Sequence, residues 1–389
     1  MTKRSLSFLF LLFLVTAAAQ AQTDSTLFFA ELRGTNEVPA NSSTAVGSAF
    51  VTIDGNNLVT YEVNIGSLQN PTLSHIHGPI PAGQNAGVKV NFATSASAFS
   101  NGRVKGTIQV TDAALATDIK TNPQLYYVNV HTTAFGGGEI RGQLQPAKEY
   151  LVSIAGNVTT GAGDKFVTDA RVFNPSFTTK AVALVEYLVS GAGGNTNAVS
   201  SKTLEIAPRG EAVLDDVTGA AGLNSPGSTG ALRITSNTQL AVTSNIYNDQ
   251  RGATPSRGTF GQFVPAITIA NALSRGVIPG LLNKNRDAAN PSGFRTNIGF
   301  FNPNQGSATV NLTLRDAAGT SLATTTVTLA GLSQQQNAIT GYFTGVDLSN
   351  AAALTVSFDS TLPVLGYGAV NDNISGDSIL VPAQPDVAP

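Results

Sequence analysis

The C-terminal two thirds of this chain contain one sequence pattern twice. The segments Phe166–Pro175 and Phe294–Pro303 align without a gap, and both end in Asn-Pro. Four further pairs of segments match in the same order: Leu151–Asn157 with Val277–Asn283, Ala231–Ile234 with Ala353–Val356, Tyr247–Asp249 with Val370–Asp372, and Phe263–Ala266 with Leu380–Ala383. Each copy spans about 110 to 120 residues, the size of a β-sandwich with a strand every ~8–12 residues. Because proline cannot donate a hydrogen bond to a sheet, each Asn-Pro pair is predicted to end a strand.

The part of the chain before the repeat also has the pattern of short strands and turns. Leu27–Leu32, Ala45–Ile53 and Leu58–Ile65 alternate between apolar and polar residues, which predicts an antiparallel meander with a hairpin at Asp54-Gly55. A single short helix is predicted over Asp112–Lys120, with Thr111 or Asp112 as its N-cap. We therefore expect an all-β fold of three consecutive antiparallel β-sandwich domains. Their predicted bounds are 24–146, 148–270 and 275–385.

The first residues have the pattern of a signal peptide. Lys3 and Arg4 precede an almost unbroken apolar run, Leu6–Val15, and Ala19-Gln20-Ala21 fits the small-x-small cleavage rule. The run is shorter than the ~20 apolar residues that a transmembrane helix needs, and the chain has no cysteine to carry a lipid anchor. We expect cleavage after residue 21, no transmembrane segment, and a protein that is secreted or periplasmic/extracellular.

Composition limits the partners that the surface can attract. Charged residues make up 12% of the chain, about half of the usual ~25%, and Gly, Ser, Thr and Asn fill the polar positions. The formal net charge of −2 becomes −4 when the two positive charges of the signal peptide are removed. Since no basic field exists, nucleic acid and anionic membranes are disfavoured as partners. A protein, a glycan or a surface polymer is the expected partner.

The three histidines of the chain lie in two short strand-like runs. His75 and His77 belong to Leu73–Pro79, and His131 belongs to Tyr126–Thr132. Residues two apart in a strand point to the same face, so His75 and His77 share a face. If the two strands lie in one sandwich, the three imidazoles converge into a possible site for zinc or copper. Neighbouring polar residues that could support this site are Asn129, Glu139 and Arg141.

A structural role for the same histidines is the competing interpretation. Their rings would then donate to the backbone, or to Glu139 and Asn129, and would organise a loop without holding an ion. Glu139 and Arg141, which share a face of the last strand, are predicted to form a solvated ion pair rather than a binding clamp. Both roles stay open at the level of sequence.

Four motifs in the first domain resemble the CHRD (chordin) domain. They are Leu32–Pro39, His75–Pro79, Tyr127–Thr132 and Gly138–Leu144, and they span most of residues 26–146. The resemblance implies an extracellular β-sandwich module, found in chordin and in many bacterial exported proteins. In chordin, growth-factor binding is attributed mainly to separate cysteine-rich modules, and this chain has no cysteine. The two following copies resemble a β-sandwich domain common in secreted bacterial proteins.

Enzyme signatures are missing from the sequence. There is no G-x-S-x-G elbow, P-loop, dinucleotide fingerprint or H-E-x-x-H. The His-x-His pair is similar to the copper-ligand pair of copper–zinc superoxide dismutases, but those enzymes need further histidines and an aspartate. Clusters such as Asn371-Asp372-Asn373 are more typical of turns than of calcium loops. We therefore expect an exported, non-catalytic binding or structural module; the alternative is a zinc- or copper-binding protein, with a possible redox role, that acts through the histidines.

Overall fold

The computed structural model describes residues 26–66, 68–160, 163–191, 200–253, 256–285 and 293–386. The predicted signal peptide lies outside these residues. The described chain forms three antiparallel sheets, and helix is limited to α1 (Ala113–Thr121), α2 (Ile339–Tyr342) and four 3-10 turns. The 3-10 turns are Gly34–Asn36, Ala96–Ala98, Pro123–Leu125 and Ile269–Asn271. The predicted all-β class is confirmed, while the exact domain bounds stay a prediction.

The first sheet contains nine strands. They are β1 (Thr26–Arg33), β2 (Val46–Ile53), β3 (Leu58–Asn64), β4 (Pro71–His77), β5 (Val88–Ala93), β6 (Arg103–Gln109), β7 (Tyr127–Thr132), β8 (Ile140–Gln143) and β9 (Gln145–Pro146). Their order is β5-β4-β7-β8-β1-β2-β3-β6, with β9 paired to β1. One face of this sheet encloses a single apolar core to which nearly every strand contributes. The opposite face, here called the outer face, carries polar and aromatic side chains.

Local sequence explains the connections in this sheet. Asp54 follows β2, and its Oδ1 accepts hydrogen bonds from the backbone N–H groups of Asn56 and Leu58, both at 2.8 Å. Asn57 takes a left-handed backbone conformation with φ of 61°, which asparagine tolerates better than most residues. The Asp112 side chain caps α1 by accepting from the N–H groups of Ala114 and Leu115. The predicted hairpin and the predicted cap are therefore both found.

The second and third sheets follow in chain order. The second contains β10 (Lys148–Thr159), β11 (Lys165–Phe173), β12 (Ala181–Val189), β13 (Ser200–Ile206), β14 (Glu211–Leu214), β15 (Ser228–Ser236), β16 (Ala241–Asp249) and β17 (Thr259–Ile267). The third contains β18 (Leu273–Lys284), β19 (Phe294–Asn302), β20 (Ala308–Arg315), β21 (Ser321–Leu329), β22 (Ser333–Ala338), β23 (Asn350–Asp372), β24 (Ser378–Pro382) and β25 (Gln384–Pro385). The strands before the two Asn-Pro pairs end at Phe173 and Asn302, as predicted.

The strand pairings of the two sheets correspond one to one, as an internal repeat requires. In the second sheet β10 pairs with β11, β15 and β17; β11 with β14 and β16; β12 with β13 and β15; and β16 with β17. In the third, β18 pairs with β19, β23 and β25; β19 with β22 and β23; β20 with β21 and β23; and β23 with β24. The long strand β23 thus occupies the places of both β15 and β16.

Part of the outer face of the first sheet packs against the second sheet. Phe29 and Phe50, which are register partners on β1 and β2, form one apolar cluster with Val182 and Leu184 of β12. Beside this cluster the Lys105 ammonium of β6 contacts carboxylates of both sheets. The remainder of the outer face, formed by β4, β7 and β8, is covered by loops of the first domain itself. None of the helices in the described ranges is long and apolar enough to cross a membrane.

Candidate metal site

The three histidines converge on the outer face of β4 and β7. These strands are antiparallel neighbours, and His75 lies opposite Asn129, His77 opposite Tyr127, and Leu73 opposite His131. One ring nitrogen from each histidine can be chosen so that all three lie within 4.8 Å of one another. The residues between them in sequence face the core instead, which is the alternation that the strand pattern predicts.

Backbone carbonyl groups orient two of the three imidazole rings. His77 Nδ1 lies 2.9 Å from the carbonyl oxygen of Ala86, and His131 Nδ1 lies 3.0 Å from that of Gly136. A carbonyl oxygen can only accept, so each Nδ1 carries the proton and each Nε2 keeps its lone pair. Both Nε2 atoms, and also Nδ1 of His75, are buried without a hydrogen-bond partner. Such atoms are costly in a folded protein unless they bind something.

Burial lowers the pKa of His75 and of His77 and so favours their neutral form. Burial, followed by the charges of His131 and His77, lowers the pKa of His75 to about 4. Burial is also the largest cause that lowers the pKa of His77, and the Ala86 carbonyl only partly opposes it. Since a metal ion binds the unprotonated nitrogen, His75 is already in the binding form at neutral pH.

Tyr127 and Arg141 form a stack beside His77. The Tyr127 and His77 rings are parallel within 1°, with centroids 4.9 Å apart, and the Arg141 guanidinium lies 4.2 Å from the Tyr127 centroid. Arg141 is 2% exposed and donates to Asn85 Oδ1 at 2.8 Å and to the Gln84 carbonyl at 3.0 Å. The stack thereby ties the loop between β4 and β5 to the site.

The predicted solvated ion pair between Glu139 and Arg141 is wrong. Arg141 is buried under the β4–β5 loop, as described above, and Glu139 bonds elsewhere. Its carboxylate accepts from the Ser43 hydroxyl at 2.7 Å and from the Thr132 hydroxyl at 2.6 Å. The two side chains instead join separate loops to the outer face.

Asn129 lies between the histidines and a buried carboxyl group. Its Nδ2 donates to both oxygens of Glu37, at 3.0 and 3.3 Å, and its Oδ1 is buried without a partner. Burial raises the pKa of Glu37 to about 7, although Arg141 and Asn129 oppose the rise. Glu37 belongs to the first CHRD-like motif, yet sequence reasoning did not place it at the site.

The structure thus brings together the three histidines, with Asn129 opposite His75 and Arg141 beyond the Tyr127 ring that stacks on His77. Glu139, the third predicted supporting residue, bonds to Ser43 and Thr132 instead. The hydrogen bonds of His77 and His131 go to loop backbone, which is one of the two arrangements that the structural interpretation predicted, and not to Asn129 or Glu139. Sequence reasoning missed Gln84, Asn85 and Ala86, whose only signal is that they follow the first histidine motif closely in sequence.

The Asn/Asp clusters considered for calcium serve as turns. Asp372 Oδ1 accepts from the backbone N–H groups of Ile374 and Ser375 and from the Ser375 hydroxyl. Within the part of the chain that the structure describes, the three histidines are the group whose ligand atoms approach closely enough to share an ion.

Comparison with known proteins supports the resemblance of the first domain. The family model of the CHRD domain matches residues 28–144. A crystal structure of Thermotoga maritima 1070 is similar at 8% identity over 30% of this chain and 97% of that chain, with a TM-score of 0.24. No curated protein matches this chain in sequence. The predicted CHRD resemblance is therefore confirmed for residues 28–144, whereas the family of the two following copies stays a prediction.

Proposed function

We propose that this protein is an exported, non-catalytic binding module whose first domain holds one zinc or copper ion through His75, His77 and His131. Two observations carry the proposal: one ring nitrogen of each histidine lies within 4.8 Å of the others, and each histidine has a buried ring nitrogen without a hydrogen-bond partner. Two of the rings are held by backbone carbonyls through their other nitrogen, the arrangement that orients histidine ligands in metal sites.

The remaining parts of the proposal have separate support. The CHRD match supports a non-catalytic module, and the signal-peptide pattern at residues 1–21 supports export. The support for metal binding is the geometry of the three histidines alone. The loops that cover the site, which include Gln84 and Asn85, are exposed on their outer side and offer a surface for a protein, glycan or polymer partner.

Metal analysis of the purified protein tests the proposal. After loading with Zn²⁺ or copper and dialysis, wild type should retain about one equivalent of metal. His77→Ala and His131→Ala should each weaken retention at least about a hundredfold, because each removes one of three ligands. Asn91→Ala is the matched control: Asn91 lies opposite His75 on β5 but is exposed. Circular dichroism should show that all variants are folded.

Two results would contradict the metal site. One is a wild type that retains neither zinc nor copper at micromolar concentrations. The other is a pair of histidine variants that bind as well as the Asn91→Ala control. Either result would leave His77 and His131 with a structural role, which is to anchor the loops at Ala86 and Gly136.

A further inference from the structure

The ligand set at the histidines carries no negative charge. Within the described residues, the group of close ligand atoms consists of imidazole nitrogens only. The two carboxyl groups that bond to side chains of β7 already have partners there: Glu37 bonds to Asn129, and Glu139 bonds to Thr132 and also to Ser43. An ion held here would therefore keep its full charge in contact with neutral ligands.

Burial makes it energetically unfavourable to hold this charge in the site. The free energy of moving an ion from water into a low-dielectric site rises with the square of its charge, and only anionic neighbours offset it well. The three ring nitrogens are buried, and the buried guanidinium of Arg141 lies one ring beyond His77. A monovalent ion therefore loses less hydration free energy on entering this site than a divalent one.

Coordination number gives the same preference. Zn²⁺ in proteins is almost always four-coordinate, so besides the three imidazoles it needs a fourth donor, either a water molecule or another side chain. Cu⁺ has a filled d shell and forms stable three-coordinate complexes with nitrogen donors, and imidazole suits copper as a ligand. The Oδ1 atom of Asn129 is the nearest unpartnered oxygen by register, and it is neutral.

We infer that the site is selective for copper in the Cu⁺ state over Zn²⁺. This inference rests on the proposed function, since it requires that the three histidines bind a metal ion. The charge and the number of the ligands are the properties that set this selectivity.

Competition between the two ions tests the inference. The mature protein is equilibrated without oxygen with equal concentrations of Zn²⁺ and of Cu⁺ generated by ascorbate, and metal content is measured after desalting. We expect copper to exceed zinc at least about tenfold, with an X-ray absorption edge typical of three-coordinate Cu⁺. Titration with bicinchoninate, which binds Cu⁺, then gives the affinity of the site for Cu⁺.

Equal retention of the two ions, or more zinc than copper, would overturn the selectivity and leave the metal site intact. Binding of neither ion would overturn the proposed function as well.

A charge substitution provides an independent check. Asn129→Asp in a Glu37→Gln background, where no second carboxylate faces it, adds an anionic oxygen opposite His75 and should raise the zinc-to-copper ratio at least about tenfold over Glu37→Gln alone. Asn91→Asp adds the same charge on the exposed side of His75 and should change the ratio little, because solvent screens it. A ratio that responds equally in the two variants, or in neither, would contradict the inference that ligand charge sets the selectivity.

Discussion

Replacement of Lys105 by methionine is expected to lower the free energy of unfolding by about 3 kcal/mol. The Lys105 side chain is 1% exposed, and its ammonium lies 3.0 Å from Glu186 of the second sheet and 3.3 Å from Glu62 of the first. Methionine fills a similar volume, so the loss arises because each of two buried carboxylates loses one of its cationic partners and keeps the other, Arg103 for Glu62 and Arg233 for Glu186. Arg233, whose Nε lies 2.6 Å from Glu186, remains in place and limits the loss.

The double variant Lys105→Met, Glu186→Gln isolates the contact between the two sheets. Because it removes one charge of each sign, it should recover about 2 kcal/mol relative to the sum of the single variants. Lys180→Met is the matched control. Lys180 also links the second sheet to the first, through Glu31 at 3.4 Å, but its side chain is 35% exposed. Its replacement should cost less than about 1 kcal/mol.

Urea unfolding followed by circular dichroism measures these differences, since the chain contains no tryptophan to report by fluorescence. Hydrogen exchange shows which strands are destabilised. Lys105→Met should speed amide exchange in β6 and β12, the strands that carry Lys105 and Glu186. A cost no greater than that of Lys180→Met, or additive behaviour of the double variant, would refute the view that this charge group fixes the first sheet on the second.

Two further predictions concern single side chains. In the metal-free protein, the NMR titration midpoint of His75 should lie near pH 4; because the folded-state pKa is lowered, its contribution to stability is complete above about pH 6.5 and is lost as the pH falls toward 4. A midpoint near 6.5 would contradict the burial of this ring. Asn174→Ala and Asn302→Ala should each cost about 2–3 kcal/mol in thermal or urea unfolding, since each buried amide donates to a carbonyl of the turn that follows it and to a carbonyl of a more distant segment. Unequal effects at the two positions would argue against equivalent roles in the two copies.

Strand alternation was enough to place the histidines on one face. The period of two in a strand separates His75 and His77 from Ile76, and it separates His131 from Val130 in the same way. Sequence could not show that β4 and β7 are direct neighbours, because pairing between distant strands depends on the whole sheet. The convergence of the three rings was therefore predicted only on the condition that the two strands meet.

Burial of charged residues was the part that sequence could not predict. Arg141 and Lys105 alternate with apolar residues, a pattern that favours solvent exposure on the outer face. The outer face is covered in both places, by the β4–β5 loop over Arg141 and by β12 over Lys105. Loop conformation and contact between domains arise from tertiary packing, and local periodicity contains no information about either.

The position of the histidines opposite the core has a kinetic consequence. Each ring projects away from the apolar residues that hold the first sheet together, and the loops above it are held by a limited number of hydrogen bonds, such as those at Ala86 and Gly136 and those from Arg141. Local opening of such loops needs far less free energy than unfolding of a sheet. The lifetime of an ion at this site would therefore follow the opening rate of the loops, so that exchange could occur many times while the sheet stays folded.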